Sequence, residues 1–556
     1  MRKKVLALIM CMVFVVCSLA ACNKSGGTGQ KDTLSQGGNV TDGKTAGGAT
    51  AASDNWTWPL QKKKDLNIWI VWQNNYVSSP NDLAAIQQIE KNTNVHINWT
   101  TVASNEASEK FSVMIASGEY PDIIRGAEAL YSGGLVKMID DGVSIDLTDK
   151  VDKYMPNYTA LRNSIPSLKK DTVTDDNKTV ALYTLASDNG NLQGERVWGG
   201  PSLRKDWLDE TGLGMPVTVD DWYNVLTAIK KNHPDCEAPL MTGLNGIDSF
   251  GTFLSAFGVL AEFYNDKGTV KYGPLEDGYR KYVETFRKWY SEGILDPNFI
   301  SNDASMIAPP DYIGTGKAAA SPNVWGYTAD ILKSMGYNSD EKFSLSGVSY
   351  PVLKAGDTPQ AGLAMSELVK ETLVVTSSCK DVELAMRYLD YWYTKEGMML
   401  GTLGIKDDSY VENSDGTYSM SDSMKKKVAD KTYPTMAEAL STVSLESSDF
   451  GLYNWRMWDS IYEGNPALDA YNAWTDTKYD LLLPPCMTNT NDESQEYAAT
   501  YPNIQTLVQE NTVKFITGTK SMDEYDSFID QLHKYGIDRC IELKQAALDR
   551  YEKRGN

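Results

Sequence analysis

The first folded part of the chain alternates between strand-like and helix-like patterns of apolar residues. Residues 66–72 alternate and are rich in branched and aromatic side chains, which predicts a strand, whereas 82–92 has the spacing of an amphipathic helix. A second strand at 95–102, a second helix at 109–117 and a short third strand at 122–124 follow. This order predicts an α/β region built on a mainly parallel sheet.

Polar and aromatic residues lie at the ends of two of these predicted strands. Trp72, Gln73 and Asn74 lie at the end of the first strand, and Arg125 and Gly126 follow the third. In parallel α/β sheets, ligands bind beside the carboxyl ends of the strands. We therefore expect these five residues to contact a ligand.

The N-terminus has the pattern of a secretory signal. Three basic residues at 2–4 precede an apolar run at 5–16, and Leu19-Ala20-Ala21-Cys22 follows. This arrangement predicts a bacterial lipobox, with cleavage before Cys22 and a lipid on its sulfur; ordinary cleavage beside an incidental cysteine is the alternative. The lipobox makes residues 1–21 a signal peptide and holds the protein at the extracellular face of the cell membrane.

A polar segment follows the cysteine. Residues 23–53 are almost entirely Gly, Ser, Thr, Asn, Asp, Lys, Gln and Ala, so they offer no apolar surface to bury and predict a flexible tether. We therefore assign residues 22–64 to the lipidated cysteine and its linker. No later stretch reaches the roughly eighteen apolar residues that a membrane-spanning helix needs.

The balance of charges excludes several kinds of partner. The whole chain carries 53 basic and 74 acidic residues, and loss of residues 1–21 removes three bases and no acid, which moves the net charge from −21 to −24. Such a surface repels nucleic acid and anionic lipid, so the lipid anchor is the expected membrane contact. The remaining length, about 490 residues, exceeds one ordinary domain and suits two lobes.

Cysteines and aromatic residues add two expectations. The cysteines of the folded part have no metal-like spacing, so we expect buried thiols, with one disulfide as the alternative; they are Cys236, Cys379, Cys486 and Cys540. Aromatic residues make up 10% of the chain, with 31 Tyr and 14 Trp. Most of these rings belong in a core, but Tyr and Trp at strand ends would suit a sugar, because each combines an apolar face with a polar edge.

Longer motifs carry a family resemblance. SGEYPDII at 117–124 closes the second predicted helix, and 204–231, which begins RKDWLDETGLGMPVT, reads as a helix, a glycine stop and a second helix capped at Thr218 or Asp220. These segments resemble the extracellular sugar-binding proteins of ABC transporters, the class that contains maltose-binding protein, and in particular its large LplA-like lipoproteins. Similar segments continue to the C-terminus. They are a long helix at 275–299, a strand with its loop at 314–327, and a strand at 343–353 that returns to the first lobe. A helix at 377–400 that completes that lobe and closing helices at 515–551 follow.

The resemblance implies an α/β fold of the two-lobe periplasmic-binding-protein type (type II), with a hinge and an interlobe cleft. The lobes it implies are 65–190 with 345–405, and 191–344 with 406–556. It also implies a function, in which a monomer captures an oligosaccharide by hinge closure, without covalent chemistry, and delivers it to the permease subunits of an ABC transporter.

Further candidate ligand contacts come from the same resemblance. Trp325 and Tyr327 align with the sugar-stacking loop of maltose-binding-type proteins, and Trp198 lies on a loop near the predicted hinge. Trp455 and Trp458 are three residues apart, which fits either a segment that lines the cleft or a buried helix.

Sequence signatures of enzymes are mostly missing. The three histidines have no HExxH motif, and neither a GxSxG elbow nor a P-loop occurs. Some large relatives carry a calcium loop, but residues 233–246 lack its alternating ligands, and Asn413–Gly416 predicts a hairpin turn instead. We therefore predict a binding protein without catalytic residues, metal or cofactor. A carbohydrate-active enzyme, a ligand-presenting subunit of a surface sensor or adhesin, and a peptide ligand are the alternatives.

Overall fold

Helices and strands alternate along most of the chain. The computed structural model of the protein describes residues 56–187, 190, 192, 196–197, 199–242, 253–301, 310–324, 328–334, 336–362, 364–365, 368–445, 450–461 and 467–555. Its strands are β1 Lys64–Val71, β2 Val95–Val102, β3 Ile123–Arg125, β4 Leu182–Ser187, β5 Arg196–Val197, β6 Gly199–Arg204, β7 Ala238–Leu240, β8 Phe263–Asp266, β9 Thr269–Tyr272, β10 Ala318–Val324, β11 Leu345–Gly347, β12 Ala364–Met365, β13 Leu368–Val375, β14 Tyr410–Glu412, β15 Tyr418–Met420 and β16 Leu452–Asn454.

The α-helices of the described residues vary from single turns to seven turns. They are α1 Ala84–Thr93, α2 Ala107–Ser117, α3 Gly134–Asp140, α4 Thr148–Tyr154, α5 Pro156–Ser164, α6 Pro166–Asp171, α7 Lys205–Thr211, α8 Val219–Asn232, α9 Asp277–Ser291, α10 Pro310–Gly314, α11 Ala329–Ser334, α12 Val382–Tyr391, α13 Lys395–Thr402, α14 Asp422–Ala429, α15 Met436–Leu440, α16 Met457–Ile461, α17 Ala467–Trp474, α18 Asn491–Ile516, α19 Tyr525–Lys534 and α20 Ile537–Tyr551. None of these helices is both long and apolar enough to cross a bilayer.

The chain forms two compact units, each assembled from segments that are distant in sequence. The described residues of 56–194, 366–463 and 554–555 make the first unit, and those of 195–365 and 464–553 make the second. Each unit contains its own main sheet. The chain therefore passes from one unit to the other several times.

The first unit is organised around a six-stranded sheet with the order β16-β4-β13-β3-β1-β2. Strand β1 is parallel to β2 and β3, β13 is antiparallel to β3 and β4, and β16 is parallel to β4. Five strands thus run in one direction. Ile68 and Ile70 on one face of β1 and Trp69 on the other are almost completely buried, as expected for a sheet covered on both faces.

The second unit combines a four-stranded sheet, β11-β6-β10-β7, with a large helical core. Thr218 caps helix α8: its hydroxyl accepts the Asp221 N–H, and the Asp221 carboxylate accepts the Thr218 N–H, at 3.1 and 2.9 Å. Its apolar face is buried in the core through Trp222, Leu226 and Ile229, which have helical spacing. Of the two predicted caps, Thr218 and Asp220, the first is confirmed.

Three predicted details of the chain path differ from the structure. The strand expected within 343–353 to return to the first lobe is β11, which pairs with β6 inside the second unit. Residues 406–463, which we expected in the C-terminal lobe, lie in the first unit, where β16 pairs with β4. Trp455, for which a buried helix is one of the two predicted settings, lies outside α16 and directly follows the strand β16. Alternating apolar residues predict a strand, but they do not reveal which sheet it joins.

The cysteine environments agree with the expectation of thiols. Cys236, Cys379 and Cys540 are free and buried, and Cys486 is half-buried. Burial raises the pKa of the first three thiols, to about 11, 12 and 11 respectively. Their thiolate fraction at neutral pH is therefore small.

One buried acid in the first unit holds a helix end. Asp390 of α12 is 5% exposed, and its carboxylate accepts N–H bonds from Asn157 and Tyr158 in the first turn of α5, at 3.3 and 2.9 Å. Burial raises the pKa of Asp390 to about 6, although these hydrogen bonds oppose the shift. The folded state consequently holds a proton here at a pH where the unfolded chain has lost it.

This pKa predicts a pH dependence of the free energy of unfolding. Because the Asp390 pKa is raised in the folded state, its contribution to stability is present at low pH and is lost as the pH rises through about 6. When the pH rises from about 5 to about 7.5, we expect the free energy of unfolding, measured by urea denaturation, to fall by roughly 1–2 kcal/mol more in wild type than in Asp390→Asn. The matched control is Asp415→Asn, because the pKa of Asp415 is lowered and its titration lies below this window. Equal losses in wild type and Asp390→Asn would contradict the prediction.

Candidate functional site

The carboxyl ends of five strands meet along one rim of the first unit's sheet. Strands β1, β2, β3, β4 and β16 all point to this rim, and β13 alone among the six begins there. Open α/β sheets bind ligands in this position because loops and unpaired backbone groups gather there. The rim is therefore the candidate functional site.

Several of the predicted ligand contacts lie on this rim. Trp72 extends the β1–β2 ladder by donating its N–H to the Val102 carbonyl at 2.9 Å. Arg125 is the last residue of β3 and is buried, and Gly126 donates its N–H to the Thr372 carbonyl at 2.8 Å. Gly126 adopts a φ of 76°, a left-handed conformation that favours glycine and turns the chain away from the strand.

Trp455 lies at the same rim, near the opposite edge of the sheet. It follows β16 and donates its N–H to the Ser187 carbonyl at 3.0 Å. Four strand spacings of roughly 4.8 Å separate β16 from β1, so about 19 Å of rim lies between Trp455 and Trp72. The Trp455 ring is half-buried, and the Arg456 guanidinium lies 4.3 Å from its centre.

The remaining predicted residues fall outside the part that the structure describes. Trp198, Trp325 and Tyr327 are not among the described residues, nor is Cys22. Trp458 is the second residue of α16, but its side chain is not described. The roles proposed for these residues stay predictions.

A cavity of about 300 Å³ opens beside the end of β1. Three predicted residues, Trp72, Gln73 and Asn74, line it, and sequence reasoning missed the others, which are Asn75, Tyr76, Val77, Ser78 and Thr101. The lining combines two aromatic rings with amides and hydroxyls, and it contains no Asp, Glu, Lys or Arg. Such a surface offers apolar contact and hydrogen bonds without a formal charge.

Asn74 fixes the conformation of this lining. We call residues 72–78 the rim loop. The Asn74 side-chain oxygen accepts the N–H groups of Tyr76 and Val77 at 2.8 and 3.1 Å. Its amide donates to the Ser441 carbonyl at 2.8 Å, which ties the rim loop to the segment after α15. One side chain thus closes a turn and anchors it.

Tyr76 is held by a second contact to the same part of the chain. Its hydroxyl donates to the Glu438 carboxylate of α15 at 2.9 Å, and its ring meets Tyr433 edge to face with centres 5.1 Å apart. Burial, together with this hydrogen bond and the charge of Glu438, raises the pKa of Tyr76 to about 12. The tyrosine is therefore neutral at physiological pH.

The described residues offer no metal-binding arrangement. No group of three or more His, Cys, Asp or Glu side chains converges anywhere in the part of the chain that the structure describes. Asn413–Gly416 forms the predicted turn between β14 and β15, with the Asn413 N–H donating to the Thr417 carbonyl at 2.8 Å.

A match to a known family now gives this fold its class. A family model for bacterial extracellular solute-binding proteins matches residues 78–399, which is more than half of the chain. The protein therefore belongs to the bacterial extracellular solute-binding protein family. The resemblance inferred from the sequence and the two-lobe α/β fold class are both confirmed.

Particular relatives narrow the comparison. The chain is 25% identical over 531 residues to the fructooligosaccharide ABC transporter substrate-binding protein FusA of Streptococcus pneumoniae, covering 90% of this chain and 93% of the relative. It is 24% identical over 391 residues to lipoprotein LipO of Bacillus subtilis, covering 67% and 72%. Among solved structures, an HMO-binding, ABC-transporter-associated solute-binding protein from Bifidobacterium longum infantis superposes with a TM-score of 0.68 at 17% identity, covering 88% of this chain and all of the other. FusA and the Bifidobacterium protein are binding proteins by name.

Sequence reasoning stopped short of two residues at the site. Tyr76 lies four residues after Trp72, so the strand-end argument would have included it had it been applied to the whole loop. Glu438 lies 362 residues after Tyr76, and no local pattern predicts that contact.

We predict that Asn74 is the residue that orders the rim loop. Asn74→Ala removes three hydrogen bonds, so the free energy of unfolding should fall by about 1–3 kcal/mol and the amides of Tyr76 and Val77 should exchange faster with deuterium. Asn74→Asp keeps the acceptor and loses the donor, so its amides should stay protected while the tie to Ser441 is lost. Asn75→Ala, one residue along the same loop, is the control. Unchanged exchange in Asn74→Ala would show that other contacts order the loop.

Proposed function

We propose that the protein is a lipid-anchored extracellular binding protein that captures a neutral oligosaccharide and delivers it to an ABC permease. The observation that carries the proposal is the cavity at the rim, where Trp72 and Tyr76 adjoin a series of side-chain amides. The names of its relatives support the same class of ligand, since FusA binds fructooligosaccharides.

The lining of the cavity suits the chemistry of a sugar. A pyranose or furanose ring has apolar C–H groups that pack on an aromatic face and hydroxyls that need partners of both kinds. Gln73 and Asn75 carry amides that donate and accept, and Thr101 adds a hydroxyl. Entering the cavity costs a uronic acid more hydration free energy than a neutral sugar, because its carboxylate is charged. No ionised side chain lines the cavity to offset that cost.

The length of the rim suits a chain of sugars. Trp72 and Trp455 lie about 19 Å apart along the strand ends, farther than a single sugar ring reaches. The first ring would occupy the cavity, and later units would extend along the rim toward β16. A peptide, the alternative ligand, would more often need charged partners for its termini, and the cavity offers none.

The N-terminal sequence supports attachment to the membrane by lipid. The apolar run and Leu19-Ala20-Ala21-Cys22 have the order of a lipobox, and the polar residues 23–53 would serve as the tether. LipO, a relative, is a lipoprotein by name. An anchored binding protein stays close to the permease that it supplies, which raises its effective concentration there.

Calorimetric titration with short neutral oligosaccharides of fructose, glucose, xylose, mannose and galactose tests the ligand class. At least one series should bind wild type, and Trp72→Ala should weaken that binding by about 1–3 kcal/mol through loss of an aromatic surface. The control is Trp99→Ala, because Trp99 packs on Phe450 and donates to Asn81, so its loss should lower the melting temperature and leave affinity unchanged. Parallel titrations with oligogalacturonides and short peptides complete the panel. Binding to peptides alone would reject the proposal.

Fractionation of cells that express the full chain tests the anchor. Wild type should remain with the membrane and carry a labelled fatty acid, whereas Cys22→Ala should appear in the medium without label, since it lacks the sulfur that takes the lipid. Cys17→Ala is the matched control, because Cys17 belongs to the signal peptide and its loss should change neither result. Wild-type protein that is found in the medium, cleaved but unlabelled, would contradict the assignment.

A further inference from the structure

Tyr76 combines two properties that seldom occur together. Its side chain is 42% exposed beside the cavity, yet its hydroxyl is bound to a buried carboxylate. An exposed tyrosine normally turns its hydroxyl to water and keeps its rotamer freedom. Here the Glu438 carboxylate holds the hydroxyl, a T-shaped contact with Tyr433 holds the ring, and the Asn74 side chain holds the backbone N–H.

Glu438 is itself held firmly. It is 8% exposed, and its second oxygen accepts the Thr435 hydroxyl at 3.1 Å while its N–H donates to the same hydroxyl at 3.2 Å. It lies in the first turn of α15, where backbone N–H groups favour a negative charge. Moving the acceptor away from Tyr76 would therefore break its hydrogen bond with the Thr435 hydroxyl that caps the helix.

We propose that Tyr76 is a sugar-stacking surface in the lining of the cavity and that Glu438 is the positioning residue that fixes its ring. The proposal rests on the proposed function, and it adds two residues to the binding site. A ring that is already fixed in the free protein loses little conformational entropy when a sugar packs on it, so the affinity gained from the contact is larger. Glu438 touches no ligand and acts only through the Tyr76 hydroxyl.

The simplest alternative is that Tyr76 only fastens the rim loop. In that case its hydroxyl matters for folding and its ring face does not matter for the ligand. Changes of the ring and of the hydroxyl separate the two roles, because Tyr76→Ala removes both whereas Tyr76→Phe keeps the ring and frees it from Glu438.

The test is calorimetric titration of purified full-length variants with each neutral oligosaccharide that binds wild type. Tyr76→Ala should weaken binding roughly tenfold to a hundredfold. Tyr76→Phe and Glu438→Ala should each weaken it several-fold, and the double variant should be no weaker than either alone, because both remove the same hydrogen bond. Glu438→Gln should bind almost as wild type, since its amide oxygen still accepts the hydroxyl.

A second tyrosine–carboxylate pair in the same unit provides the matched control. The Tyr131 hydroxyl donates to Asp141 at 2.6 Å, away from the cavity lining. Tyr131→Phe and Asp141→Asn should leave affinity for the same sugars unchanged. Melting temperatures of all variants show whether any has failed to fold. If Tyr76→Ala fails to fold, Tyr76→Phe still tests the proposal.

The outcomes distinguish this inference from the function on which it rests. A wild type that binds no neutral oligosaccharide rejects the proposed function and the inference with it. A wild type that binds while Tyr76→Ala binds equally well rejects the stacking surface alone. Additive losses in Tyr76→Phe and Glu438→Ala, or no recovery in Glu438→Gln, reject the positioning role of Glu438.

Discussion

The pairing of β13 with both β3 and β4 is the interaction on which the first unit depends. It joins the β1-β2-β3 half of the sheet, formed early in the chain, to β4 and β16. Leu373, Val374 and Val375 of β13 are almost completely buried, so this junction is also part of the core. Because β13 runs antiparallel to both neighbours, β4 takes the same direction as β3, and five carboxyl ends come to one rim.

The same strand shapes the rim at the level of single residues. Its pairing with β4 shifts in register between Val369 and Thr372, and bulges of this kind often lie next to binding sites. Thr372 accepts the Gly126 N–H through its carbonyl and donates its hydroxyl to Glu128. The turn after β3 is thereby fixed to the central strand. The rim loop is fixed in a similar way from α15, so ordering comes from distant segments at both places.

The sequence predicted those elements whose structure is determined by interactions between residues close together in the chain. Strand β2 occupies the predicted residues 95–102, and the cap of α8 lies at Thr218, because alternation and capping act within a few residues. Strand β16 and the partner of β11 were missed or misplaced, since three-residue strands depend on the sheet that receives them. The strand-end rule named Trp72, Gln73 and Asn74 of the rim loop as ligand contacts; all three line the cavity, and their contact with a ligand stays a prediction.

The Glu438 contact shows where such rules end. Tyr76 and Glu438 are more than 350 residues apart, and no sequence pattern around either residue indicates the other. Their contact can therefore be predicted only from the three-dimensional structure. The family resemblance supplied the fold class but not this contact. Side chains that position a site from a distance are therefore the part of it that sequence reasoning reaches last.

The strongly acidic net charge of the protein and the absence of charged side chains in the cavity lining do not conflict, because they act over different distances. The net charge of −21 governs solubility and the repulsion of anions over distances near the Debye length, about 8 Å at physiological salt. A neutral sugar does not respond to that field, and its affinity depends on ring faces and hydrogen bonds at contact distance. Glu438, the acid close to the rim loop, is covered by the hydroxyls of Tyr76 and Thr435. Glu438 thus holds the rim loop without lining the cavity, so the protein combines an acidic surface with an uncharged cavity lining.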